Sequence, residues 1–142
     1  MPSPAIYYID ANAAIAMIER TRPLNPAQDA FVDGIDDGAI RVVSSDVALL
    51  ECLVKPLRDK DTTLAQSVFD FFDGVVARLI PLDRHVILQA AELRAANRLT
   101  LPDALHVACA LEAGCTVFLS ADRRLRVPDG MTRLAFDELT LP

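Results

Sequence analysis

Short, continuously apolar runs alternate along this chain with longer segments whose apolar residues recur every three or four positions. Residues 5–9 (AIYYI), 39–44 (AIRVVS), 75–82 (VVARLIPL), 115–119 (CTVFL) and 132–136 (TRLAF) read as strands. Residues 11–19, 25–37, 46–57, 61–73, 83–98 and about 102–113 read as helices. Their punctuation agrees. Pro26 and Pro102 suit first helical turns, Gly38 and Gly114 suit helix stops, and the Ser44–Ser45 pair and Asp83 suit N-caps. Short, continuously apolar strands alternating with helices predict an α/β fold with a mainly parallel sheet. Ligands of such sheets gather at the carboxyl ends of the strands.

The individual helices sharpen the picture. In residues 61–73, Leu64, Val68, Phe71 and Phe72 form the inward set. In residues 83–98 the apolar positions include Val86, Leu88, Ala90, Ala91 and Leu93. Residues 102–113 carry Ala104, Leu105, Val107, Ala108, Ala110 and Leu111, which leaves almost no polar face and predicts burial on most sides. In residues 46–57 the spacing of Val47, Leu50, Val54 and Leu57 predicts the buried stripe, and Glu51 falls on it. A carboxylate there needs a cation, a hydrogen-bond partner or a route to water, because burial without one costs several kcal/mol.

Glu51 is one of four acids set apart from the solvent faces. Asp10 follows the first strand, Asp103 opens the buried helix, and Asp122 follows the strand at 115–119. Grouped carboxylates repel one another and raise each other's pKa unless a positive charge sits among them. Hard oxygen donors suit Mg2+ or Mn2+, and with only two histidines there is no cluster to suggest zinc. A carboxylate-held divalent ion supports metal-assisted hydrolysis of phosphate esters. The chain offers no glycine-rich phosphate loop, nucleophile elbow or Cys–His pair.

Composition narrows the class. The chain has 142 residues, consistent with one domain over 1–142, and 14 basic against 20 acidic residues give a net charge of −6. Bulk charge therefore excludes a basic nucleic-acid-binding module, so contact with RNA needs a local basic patch or bound cations. Lys55, Arg58, Arg94, Arg98, Arg123 and Arg124 lie near the acids in sequence and are candidates for phosphate contacts, although each alone reads as a surface charge. Cys52, Cys109 and Cys115 show no metal spacing and sit in apolar surroundings, as buried thiols of a reducing compartment do. With neither a leader-like N-terminus nor a membrane-length apolar run, a soluble cytoplasmic protein is expected.

The segments IDANAAIAMIE, SSDVALLECLVKPLR and LPDALHVACALEAGCTVFLSADRRL, in that order, resemble the successive signatures of the PIN domain, and more narrowly those of VapC-type toxins of toxin–antitoxin pairs. The resemblance spans nearly the whole chain and is most specific in the late segment. It implies a three-layer α/β/α sandwich around a parallel sheet, a metal-dependent endoribonuclease activity, a homodimer, and a cognate antitoxin that blocks the active site. Carried over position by position, Asp10, Glu51, Asp103 and Asp122 are the acids that hold Mg2+ or Mn2+. Asn12 matches the small polar residue that accompanies the first aspartate, and Ser120 the hydroxyl before the last. Ser120 and Ala121 stand where many members carry Thr-Asn, a departure that weakens support around the site without removing a ligand.

Competing readings are plain. Asp10 also fits a helix cap, Asp103 a dipole-favoured first-turn acid, Asp122 a loop acid and Asp46 simple helix-start chemistry. His106 shares the helical face of Asp103 but reads as a satisfied core histidine, and His85 as structural or exposed. A PIN-like module that binds RNA or protein without cutting is the alternative function. A haloacid-dehalogenase-like phosphatase is disfavoured by Asn12 two residues after Asp10, and a receiver domain by the lack of any lysine after Lys60.

Overall fold

A computed structural model describes residues 3–141 and shows a five-stranded sheet, every strand parallel, in the order β3-β2-β1-β4-β5. The strands are β1 (Ala5–Ile9), β2 (Ile40–Ser45), β3 (Arg78–Ile80), β4 (Val117–Leu119) and β5 (Thr132–Leu134). Six α-helices connect them: α1 (Ala11–Glu19), α2 (Pro26–Asp36), α3 (Asp46–Arg58), α4 (Thr62–Gly74), α5 (Arg84–Asn97) and α6 (Leu101–Glu112). Each strand is pleated, so neighbouring side chains enter opposite cores. Tyr8, Val43, Ile80 and Phe118 pack under α5 and α6. Ile9, Val42 and Leu119 pack under α1, α2, α3 and α4. These are the three layers implied by the sequence.

Local chemistry fixes the helix starts. The side chains of Asp10, Asn25, Ser45, Asp61, Asp83 and Thr100 each accept the backbone N–H three residues on. Ser45 alone of the serine pair is the cap of α3. Ser44 instead donates to the Ile9 carbonyl across the sheet at 2.8 Å.

Two expectations need correction. The strand expected over 75–82 is three residues long, because the N–H groups of Val75 and Val76 still bond the Phe71 carbonyl at the end of α4, and Pro81 has no N–H to continue the ladder. The stripe expected to bury α3 is also wrong beyond Val47. Leu50, Val54 and Leu57 are 64%, 52% and 63% exposed, whereas Val47, Ala48, Cys52 and Pro56 face inward. Small residues let α3 lie close to α1 and α4, and the larger apolar stripe is left outside. Leu88 on α5 is exposed as well, and the strand expected over 132–136 ends at Leu134, followed by a 3-10 turn at Phe136–Glu138. No helix among the described residues is long and apolar enough to cross a membrane.

Candidate active site

The chain reverses its winding at β1: it moves outward to β2 and β3 on one side, then crosses to β4 and β5 on the other. Such a reversal opens a crevice at the carboxyl ends of the two strands involved. Asp10 follows β1 and Ser120 follows β4, and the Asp10 N–H donates to the Leu119 carbonyl at 3.2 Å. Asp10 thus stands in the crevice, 9% exposed. Burial raises its pKa above the ordinary carboxylate value. A hydrogen bond from the Ser120 hydroxyl, the Ala13 N–H at 2.9 Å and the nearby imidazole of His106 oppose that rise, while the charge of Glu51 adds to it. Asp10 is thus the cap of α1 and a buried carboxylate at once.

Glu51 faces the same crevice from α3 and is anchored from below. His106 Nε2 lies 2.6 Å from its Oε1, a length typical of a charge-assisted bond. The other ring nitrogen, Nδ1, lies 2.7 Å from the Tyr8 hydroxyl, which donates to Ser45 Oγ at 2.8 Å. Ser45 in turn accepts from the Ala48 N–H of α3. A continuous polar chain therefore runs from the start of α3, through β1 and α6, to the carboxylate of Glu51. Tyr8 is fully buried and its pKa is raised well above its ordinary value, chiefly by burial, so it stays a neutral donor. The glutamate itself is 36% exposed at its side chain, which leaves its second oxygen open to solvent or a ligand.

Asp122 joins the site through Ser120: its N–H donates to the serine Oγ at 3.1 Å, and its own Oδ1 accepts from the Arg124 N–H. The Arg133 guanidinium, packed between sheet and turn, donates to the Ser120 carbonyl at 2.8 Å and to Glu138 at 3.2 Å. Asp103 sits in the first turn of α6, half-buried, one turn before His106 on the same face. No hydrogen bond or ion pair among the described residues ties it to the other three acids. Asn12 is exposed on α1. Asp46 is exposed at the start of α3, and His85 pairs at the surface with Glu112 at 3.1 Å.

The structure thus ties Glu51 to His106 and Asp122 to Ser120, both beside Asp10, and leaves Asp103 at the margin. No group of three or more His, Cys, Asp or Glu side chains among the described residues is drawn together closely enough to hold a metal. That arrangement is compatible with Mg2+, which keeps several waters and takes only one or two protein carboxylates directly, with phosphate oxygens completing the shell. The four acids offer only oxygen donors, and the innermost, Asp10, is a buried carboxylate whose charge a cation would offset.

A family model described as the PIN domain matches residues 7–130. The chain is a member of the PIN-domain family. Ribonuclease VapC13 of Mycobacterium tuberculosis is 26% identical over 128 residues, covering 89% of this chain and 98% of that protein. Among solved structures, VapBC2 of Rickettsia felis bound to a promoter DNA fragment aligns with a TM-score of 0.71 at 15% identity, covering 92% of this chain and 98% of that one. A toxin-antitoxin complex from Klebsiella pneumoniae aligns at 0.66, also at 15% identity, over 95% and 99% of the two chains. At these identities the structural likenesses establish the fold, and the crevice described above is where this PIN domain differs from an ordinary α/β surface.

Two contributors were not legible beforehand. His106 was expected to be a satisfied core residue, which it is, but its partner is a site acid. Arg133 carries no signal in the sequence, because only the pairing of β4 with β5 brings it beside Ser120.

Proposed function

We propose that this PIN domain is a Mg2+- or Mn2+-dependent endoribonuclease and the toxin of a toxin–antitoxin pair. The observation that carries the reading is Asp10: a buried carboxylate at the reversal point of a parallel sheet, held by Ser120 and Ala13 and facing Glu51. Asp10, Glu51, Asp103 and Asp122 are the residues that would hold the ion. When bound, Mg2+ or Mn2+ neutralises phosphate oxygens and lowers the pKa of an attacking water. The protein's own groups prepare that site. Ala13 and Ser120 fix the rotamer of Asp10, His106 fixes that of Glu51, and Arg133 holds the backbone of Ser120 in place.

The ribonuclease name of the mycobacterial relative and the toxin–antitoxin assignment of the structural neighbours support the substrate and the partner. A cleft of about 120 Å3 between α1, α3 and α4, lined by Ile15, Ile18 and Glu51, offers an antitoxin an apolar seat that ends at a site acid. The bare stripe of Leu50, Val54 and Leu57 is the face a second copy would cover. Three buried free thiols fit a cytoplasmic setting.

The open spacing of the acids favours one rival, a PIN-like module that binds without cutting. Incubating the purified protein with a mixed RNA pool in Mg2+, Mn2+ or EDTA, beside Asp10→Asn, separates the two. Metal-dependent cleavage lost in the variant supports the nuclease, whereas Mn2+ binding without any cleavage of a broad pool favours the module.

A further inference from the structure

A cleft of about 380 Å3 opens between the far end of α1, the α1–α2 connection and the turn after β5. Its inner end is formed by Asn12 and Ala121, the near neighbours of Asp10 and Asp122, so it leads directly out of the candidate active site. Its size lies in the range of small-ligand sites. Four features give it a chemical character. Arg20 and Arg22 stand on its wall with Glu19 and Asp137, and neither arginine forms an ion pair with these acids or any other among the described residues. Arg20 occupies the left-handed region, φ 43° and ψ 56°, where a side-chain-bearing residue is strained. Its Nε donates to the Met17 carbonyl at 3.2 Å, which leaves the terminal guanidinium nitrogens free. Phe136 is fixed edge-on against Phe31 with ring centroids 6.3 Å apart and lines the cleft from the other side.

We propose that this cleft is a ribonucleotide subsite, which seats the nucleotide adjoining the scissile phosphate with its base against Phe136 and its phosphate on Arg20 and Arg22. The inference rests on the ribonuclease reading for the position of the cut, but not for the binding itself. In a chain of net charge −6 a polyanion needs cations within reach, and Arg20 and Arg22 supply two here, uncommitted to the neighbouring carboxylates of Glu19 and Asp137. Unpaired guanidinium groups beside an immobilised ring provide the two contacts that single-stranded nucleic acid uses without regard to sequence. Asn12, exposed at the inner end, presents both a donor and an acceptor to the base edge.

The test is an NMR titration of the full chain with each of the four ribonucleoside 5′-monophosphates, following the backbone amides of Asn12, Ala16, Arg22 and Phe136. Saturable shifts at these amides are expected for at least one nucleotide. Arg22→Ala should weaken that binding about tenfold, the size of one charge-assisted or stacking contact. Ala16→Phe fills the cleft from an exposed helix position and should abolish it while the remaining amide spectrum stays that of the folded parent. Shifts that are absent for all four nucleotides, or undiminished in Ala16→Phe, overturn the subsite, even if a peptide proves to bind there. Sequencing the ends made from an RNA pool separates this failure from that of the nuclease reading. A parent that binds nucleotides here yet cuts nothing sinks the nuclease alone. A parent that cuts at the same positions, with the same frequencies, as Ala16→Phe sinks the subsite alone.

Discussion

Replacing His106 by glutamine tests whether the buried polar chain beneath the site serves the site or only the core. The imidazole is almost wholly buried and spans two partners, with Nδ1 on Tyr8 at 2.7 Å and Nε2 on Glu51 at 2.6 Å. Glutamine is nearly as large but cannot reach both, so one contact is lost. Tyr8 keeps Ser45, and Glu51 reaches solvent, so no charge is left buried without a partner. The stability cost is then about 1–3 kcal/mol, a fall in melting temperature of about 4–12 °C. The larger effect falls on Glu51, which without its anchor samples other rotamers. Loss of a hydrogen bond that orients a metal ligand reduces affinity or activity about 10- to 100-fold. Thermal denaturation and Mn2+ titration by calorimetry read the two effects separately. Val86→Ala is the control: it shortens a buried side chain of α5, at about 2 kcal/mol, and should leave Mn2+ affinity at the parental value. If His106→Gln melts lower but binds Mn2+ as tightly as the parent, the positioning argument is refuted and His106 is a core residue only.

Other outcomes follow from the same geometry. Asp10→Asn should lose cleavage yet melt higher than the parent, by about 4 °C for a gain of about 1 kcal/mol, because asparagine still caps α1 and no longer carries a charge disfavoured by burial. Since burial raises the Asp10 pKa, the native state holds that proton more tightly. The stability advantage of the protonated form is complete below its ordinary value of 3.8 and is lost as pH rises, so the gap between variant and parent should open with rising pH and close in acid. A variant less stable than the parent at pH 7 would contradict this. The double substitution Leu50→Glu/Leu57→Glu places charge on the bare stripe of α3 and should weaken self-association about 100-fold in light scattering, with the circular dichroism spectrum unchanged. Unaltered association would put the interface elsewhere. Burial pushes the thiols of Cys52 and Cys115 up to about 12 and that of Cys109 up to about 11. None should react with Ellman's reagent in the native protein at pH 8, and all three should react in guanidinium.

The parts of the fold written in adjacent residues were legible in the sequence. Residues 5–9 and 11–19 are a strand and a helix with the bounds expected, since an apolar run, an aspartate cap and a run of alanines each act locally. The placement of Asp10 and Asp122 at strand ends followed from the same logic. Helix α3 was misread because it carries two apolar stripes. Periodicity identifies a stripe without saying whether core or partner covers it, and the larger residues drew the assignment away from Ala48, Cys52 and Pro56. The polar chain from Ser45 to Glu51 was out of reach for a different reason. His106 lies 98 residues from Tyr8 and 55 from Glu51, and only the packing of α6 against β1 and α3 brings them together.

Under the proposed function, Asp10 organises a divalent-metal site that cuts RNA. Isothermal calorimetry of Mn2+ binding to the parent and to Asp10→Asn, run beside RNA cleavage by the same preparations, tests it most directly. Saturable Mn2+ binding to the parent is expected, with binding at least about tenfold weaker in the variant and cleavage lost in parallel. Equal Mn2+ binding by both proteins, or RNA cut in EDTA at the rate seen with Mn2+, would contradict it.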